Sequence, residues 1–273
     1  MEAPASPLTR SIARQYDLFQ SSLETVDRPR KFLNYGYTLS RKQPYEDIQA
    51  RLCLEVFDAA GIGPGHVVVD VGFGAGEQDF LLARTRSFAR LVGFNISERQ
   101  VHYASERARR EGLEDKLDFR LGEAEVLPGV EPESADRVVA IECAFYFDRP
   151  RFYARAAEVL RLGGLLVVAD ITFADRAAFL TRRDAGSRRV GTRSANRTEW
   201  ERHFRTRSLR AIDRFVRPGA QRTVFEICKT APFADFSADE RRAWMRMAVS
   251  SQIVALGLAL GFIHYDLIVL EKR

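Results

Sequence analysis

The chain has 273 residues, 42 Lys and Arg against 37 Asp and Glu, a formal charge of +5, and 46% hydrophobic against 29% charged residues. This composition excludes global disorder, and the length suits one large domain with an elaborated cap or two small ones. The longest apolar run, Ile253 to Ile263, is broken by Gly257 and Gly261 and falls short of the roughly 20 residues that cross a bilayer. Met1 to Arg10 shows no basic segment followed by an apolar one, so the expectation is a cytoplasmic chain with no membrane span.

Thr9 to Gly61 carries helical patterning with aromatic interruptions. In its last part Ile48, Leu52, Val56, Phe57 and Ala60 form the stripe of a helix over Tyr45 to Ala60, stopped by Gly61. Residues 1–60 are therefore expected to form an N-terminal helical arm or lid. Val67-Val-Val-Asp-Val71 is a short β-branched run of the kind a buried parallel strand needs. The pattern then predicts helix Glu77 to Arg86, strand Arg90 to Phe94, helix Glu98 to Glu111 and strand Leu117 to Arg120. Strand Arg137 to Ile141 and helix Arg151 to Leu160 follow, with Gly163-Gly164 stopping that helix before strand Leu165 to Ile171.

Strands and helices alternating at this spacing mean right-handed βαβ units, so residues 61–171 read as a doubly wound α/β core. Residues 172–236 break the alternation with an Arg-rich cap, in which Thr198 to Arg205 reads as a helix and Leu209 to Val216 as a strand. Ser237-Ala-Asp-Glu240 has capping-box form and opens a helix to about Leu260. Gly261 ends it, and Phe262 to Glu271 reads as a closing strand, so residues 237–273 return to the core.

Charge is unevenly spread. Between Arg176 and Arg222 fourteen arginines face four carboxylates, a local charge of +10 in a chain of +5, which leaves −5 for the remainder. Three readings of this cluster stand: a solvated cap, a dock for an anionic acceptor such as a diphosphate or an acidic carrier protein, or a nucleic-acid surface. The stretch has few interleaved aromatics of the kind that stack bases, which disfavours nucleic acid. Cys53, Cys143 and Cys228 are widely spaced and read as buried free thiols, and neither they nor the four histidines show metal-ligand spacing.

The first strand runs into Asp70-Val-Gly72-Phe-Gly74-Ala-Gly76-Glu77 at the start of a helix, at the carboxyl edge of the sheet where such folds bind ligands. A dinucleotide fingerprint would need glycine at 72, 74 and 77, and position 77 is Glu; no Lys-Ser/Thr pair follows for a nucleoside triphosphate. The D-x-G-x-G-x-G pattern resembles motif I of class I S-adenosylmethionine-dependent methyltransferases. The fold implied is Rossmann-like and doubly wound, a mostly parallel seven-stranded sheet with an N-terminal helical lid and an inserted cap.

In that family Asp70 lies near the methionine moiety and the backbone at Gly72, Gly74 and Gly76 packs on the cofactor. Asn95 stands where most members carry Asp or Glu for the ribose hydroxyls, and Gln100 resembles a second arm of that clamp. Glu123 and Ala124 match the segment that frames adenine. Asn34-Tyr35-Gly-Tyr37, Glu142-x-Ala-x-x-x-Asp148 and Ala169-Asp170-Ile171 resemble the macrolide and indolocarbazole sugar O-methyltransferases, which assigns Tyr35 and Glu142 to the cofactor side as well.

Hydroxyl methylation needs a proton removed. The resemblance implies a His near the fourth strand and an Asp after the fifth; here Phe145-Tyr146 fills the His position, so Asp170 is read as the base and Tyr146 as the group that orients acceptor or donor. The implied function is methyl transfer from S-adenosylmethionine to a small natural-product acceptor, with S-adenosylhomocysteine as product and no metal. C- or N-methylation of a small, diphosphate- or carrier-bound acceptor, and a catalytically silent cofactor-binding protein, remain open alternatives, as does a homodimer.

Overall fold

A computed structural model describes residues 6–26, 30–40 and 42–273. The part of the leader reading that rests on residues 1–5 lies outside the described residues. Seven strands, β1 (Val67–Val71), β2 (Arg90–Asn95), β3 (Leu117–Leu121), β4 (Ala135–Ile141), β5 (Leu160–Phe173), β6 (Phe204–Ala211) and β7 (Ile263–Lys272), form one sheet. Their order is β3-β2-β1-β4-β5-β7-β6; β1 to β5 pair in parallel, and β7 runs antiparallel between β5 and β6. The chain reverses direction of growth between β1 and β4, so a crevice opens at the carboxyl ends of β1, β2 and β4.

Alternation along β1 feeds two cores. Val68 packs with α2 (Tyr45–Ala60) and α3 (Glu77–Thr85), while Val69 and Val71 pack with α5 (Arg149–Val159). Helix α4 (Glu98–Glu111), capped by the Ser97 side chain, joins β2 to β3. Above the crevice lies α1 (Pro7–Thr25), capped by Ser6 and stacked on the long α9 (Ala238–Leu260) through Phe19 and Trp244, 4.5 Å apart. Trp244 Nε1 donates to Ser22 Oγ. The capping box of Ser237 and Glu240 is formed.

Several expectations are corrected. The helix read at Thr198 to Arg205 is α7 (Arg193–Trp200), which starts earlier because Thr192 caps it by accepting from Ala195 N. The strand read at Leu209 to Val216 is β6, which starts at Phe204; Asp213 onward belongs to α8 (Asp213–Thr230), hidden in the sequence by Pro218-Gly219. A short α6 (Ala185–Val190) was also not anticipated. Gly163, at φ 76°, lies within β5 after helix α5 has already ended at Val159. Cys53 and Cys143 are buried, whereas Cys228 is exposed on α8.

Helix α9 is long and apolar enough, by length and composition, to cross a membrane, because Ser250 to Gln252 interrupt its apolar run only mildly. It is a packed helix of this domain, with Trp244, Ala248, Val254 and Leu258 buried against its neighbours.

Gly219 lets α8 approach the loop at residues 30–40. A Cβ there would stand 1.7 Å from the Tyr35 carbonyl oxygen, so Gly219→Ala must push α8 off that loop. We predict a loss of about 1–3 kcal/mol, read as a fall in thermal midpoint of about 2–4 °C per kcal/mol; an unchanged midpoint contradicts this packing.

Candidate active site

The glycine turn after β1 shapes the first of two joined chambers. Gly72, Gly74 and Gly76 all have positive φ. Gly72 is obligatory, since a Cβ would lie 2.6 Å from Cys143 Cβ. Gly72 and Gly74 line a cavity together with Asn95, Gln100, Glu123 and Ala124. Two residues expected there stand behind it instead. Asp70 is sealed under the turn, where its Oδ2 accepts from Gln78 Nε2 at 2.6 Å, and it is Gln78 that lines the cavity. Gly76 faces Ala104 and Phe80, so its missing side chain serves packing of α3 on α4.

Buried beside Asp70, Asp79 has its carboxyl pushed well up, by burial first and by the Asp70 charge second. Two buried carboxyls this close do not both ionise, so one of them holds a proton. Glu77, the residue that breaks a dinucleotide fingerprint, is tied to Arg107 at 2.8 Å and accepts from Lys31 N at 3.2 Å, so it pins the lid loop.

At the end of β2, Asn95 Nδ2 donates to Gln100 Oε1 at 2.9 Å and Asn95 Oδ1 accepts from Ser97 N at 3.1 Å. Gln100 Nε2, buried at the cavity wall, has no partner. A buried unpaired donor costs about 1–3 kcal/mol, which a ligand oxygen relieves. The lid helix reads the same place: Asp17 Oδ1 on α1 accepts from Ser97 Oγ and from Arg99 N.

The second chamber lies under α1, α8 and α9 and is mostly aromatic and aliphatic. Tyr16, Asn34, Glu142 and Tyr146 line both chambers and so mark where they meet. Tyr35 lines only this second chamber, which corrects its expected place on the cofactor side; its backbone N donates to Glu142 Oε1 at 3.0 Å.

Glu142 follows β4 in a left-handed conformation, φ 53°, unusual outside glycine and of the kind that clusters at functional sites. Its Oε1 also accepts from Tyr265 Oη at 2.9 Å. Burial pushes its carboxyl up to about 8, with those two hydrogen bonds opposing and the Asp170 charge adding to the rise. No described residue donates to Oε2. Tyr16 Oη donates to Tyr146 Oη at 3.0 Å, forming a phenol pair across the junction, and burial raises both phenols.

Asp170 is 3% exposed and lines neither chamber. Its oxygens accept from Phe145 N at 2.7 Å and Ile171 N at 2.6 Å, with the buried Arg149 guanidinium 3.6 Å away. Burial raises its carboxyl to about 6 and Arg149 opposes that rise. It therefore braces the 3-10 turn Ala144–Tyr146. Sequence reasoning missed Gln78, Arg149, Tyr16 and Tyr265 as contributors. Only the nearness of Tyr265 to the sheet's last strand hinted at a role.

The Arg cluster does not line the second chamber, whose only charged lining residues among those described are Glu142 and Glu226. Four of its members hold the cap to the rest of the chain, Arg193 to Asp266, Arg205 and Arg207 to Glu271, and Arg210 to Glu55, while Arg189 lines the first chamber.

With this geometry in place, residues 69–168 match the model of a methyltransferase domain family. The chain is 40% identical over 157 residues to erythromycin 3''-O-methyltransferase of Saccharopolyspora erythraea, covering 57% of this chain and 51% of that protein. It thus spans about half the length of that relative. It is 28% identical to the 27-O-demethylrifamycin SV methyltransferase of Amycolatopsis mediterranei, over 78% of this chain and 80% of that one. Among solved structures, the cyclase SpnF superposes with a TM-score of 0.79 at 19% identity, over 99% of this chain and 98% of that chain. The chain thus carries a methyltransferase domain over residues 69–168, set in a fold shared with that structure.

Proposed function

We propose that this protein is a cytoplasmic enzyme that transfers a methyl group from S-adenosylmethionine to a hydroxyl oxygen of a bulky, largely apolar natural product. The observation that carries this reading is Glu142, a carboxylate poised at about 8 at the opening between two chambers. The first chamber fits the cofactor. Gln100 Nε2 is an orphan donor where ribose oxygens would lie, Glu123 and Ala124 line the side expected for adenine, and the Gly72–Gly74 backbone walls the methionine end. When bound, the cofactor supplies an electrophilic methyl group.

The chain's own residues do the rest. Glu142 Oε2 takes the hydroxyl proton as the oxygen becomes nucleophilic, while Oε1 stays fixed by Tyr35 N and Tyr265 Oη. Tyr16 and Tyr146 orient the reacting oxygen, and α1 with the loop at residues 30–40 keeps water out. Alignment of this kind is worth about 7–11 kcal/mol at best. Asp170 is a positioning residue, acting through the turn that carries Tyr146. That no Lys or Arg among the described residues lines the second chamber argues against a diphosphate there.

The sign of the pH dependence follows. Glu142 is protonated below about 8 and becomes a base above it, so kcat/KM for the acceptor rises with pH and levels off above about 8. Glu142→Gln should abolish that rise and lower kcat about 10²–10⁴-fold while S-adenosylhomocysteine still binds. Were Asp170 the base, the rise would centre near 6; a rise centred there that vanishes in Asp170→Asn contradicts the assignment. Separately, Arg149→Leu strands a buried carboxylate and should cost about 3–5 kcal/mol in urea denaturation, with full stability of that variant counting against the brace.

A further inference from the structure

Helix α9 has two apolar faces, and the domain covers one of them. Trp244, Ala248, Ala255 and Leu258 are buried. Met245, Val249, Ile253, Leu256 and Leu260 are instead between 52% and 60% exposed. At 3.6 residues per turn these five fall within an arc of about 80°, centred opposite the buried set. A surface helix ordinarily turns charged and polar residues to that side.

The spacing of the outer face points to a helix as its partner. With exposed Gln252 and Ala259, it reads Met245, Val249, Gln252, Leu256, Ala259, a 4-3-4-3 row of the kind that seats one helix along another. Charge sets the direction. From Met247 to Tyr265 the sequence holds no Asp, Glu, Lys or Arg, whereas Arg241, Arg242 and Arg246 are exposed in the first half of the helix. An antiparallel copy lays apolar stripe on apolar stripe and sends these arginines to opposite ends, while a parallel copy sets them against their own likes. A helix lying in a lipid surface needs basic residues along its polar face, and α9 has none beyond Arg246. Area agrees with a second copy. Five half-exposed side chains offer on the order of 500 Å², so two stripes together bury on the order of 1,000 Å², the size at which specific interfaces begin.

We infer that the outer stripe of α9 is a self-association surface, pairing antiparallel with α9 of a second copy of this chain about a two-fold axis near Gln252 and Ile253. Such a contact is its own complement: Val249 of each copy faces Leu256 of the other. Ile253 also lines the second chamber, so the seam runs beside that chamber's wall. Self-association through this stripe does not depend on which reaction the chain performs.

Sedimentation velocity of the full chain over about 1–100 µM tests it. The mass should move from 31.0 kDa toward twice that value as concentration rises. Leu256→Glu and Val249→Lys, each at an exposed position, should raise the dimer dissociation constant at least about tenfold and leave the circular dichroism spectrum unchanged. The double variant Val249→Lys/Leu256→Glu sets Lys against Glu across the two-fold axis and should recover the dimer. A chain monomeric throughout that range overturns the surface, as does a dimer indifferent to both single substitutions or a double variant no tighter than either. Flotation of a monomeric chain with phosphatidylcholine–phosphatidylglycerol vesicles, lost in Leu256→Glu, also overturns it, because lipid would then cover the stripe.

Discussion

One carboxylate joins the parts of this molecule that must act together. Glu142 Oε1 accepts from the Tyr35 backbone in the lid loop and from Tyr265 on the last strand, and Glu142 itself extends β4, with its N donating to the Ala169 carbonyl on β5. Lid, central sheet and closing strand therefore converge on a single side chain held in a left-handed backbone. Burial makes its charge expensive, and the two hydrogen bonds recover only part of that cost, which leaves the group near its midpoint at mildly alkaline pH. The same desolvation that makes Glu142 a poor structural ion suits it, at the meeting of two cavities, to the proposed role of base.

Much of the core was legible because its signals are local. A β-branched run ending in Asp70-Val-Gly72 names both a buried strand and the turn after it, and hydrophobic periodicity locates α2 and the Ser237-capped α9. The cap was less legible. Strand β6 is an edge strand whose half-exposed arginines mask the period-two pattern, and Pro218-Gly219 reads as a break although α8 runs through it against Tyr35. Asp70 and Asp170 were placed on the right elements but given ligand contacts, whereas burial under Gln78 and beside Arg149 sets each one layer back. Which side chain faces a cavity and which one props its neighbour is a property of packing, and one chain's sequence does not carry it.

The uneven charge acquires a physical reading. The cap's arginines meet carboxylates of the acidic remainder: Glu271 on β7 takes two of them and is held down to about 2, and Asp266, fully buried, pairs with Arg193. The pairs that Glu271 makes with the exposed Arg205 and Arg207 are screened by water, so their effect is registration of the cap on the sheet more than stability. Among the described residues no Lys or Arg lines the second chamber, so a basic chain presents there a lining whose described charges are negative.

Fold does not settle activity, and the likeness to the structure of a cyclase makes the point. What distinguishes a methyl-transferring site from a silent copy of the fold is a cofactor chamber still able to close on its ligand, with Gln100 and the Asp17-latched lid in place. The most direct measurement is calorimetric titration of S-adenosylhomocysteine into the wild-type chain and Gln100→Leu. The account predicts one site per chain in the wild type, weakened about tenfold by loss of the Gln100 donor. Absence of binding to the wild type, or equal affinity in the two proteins, would contradict it.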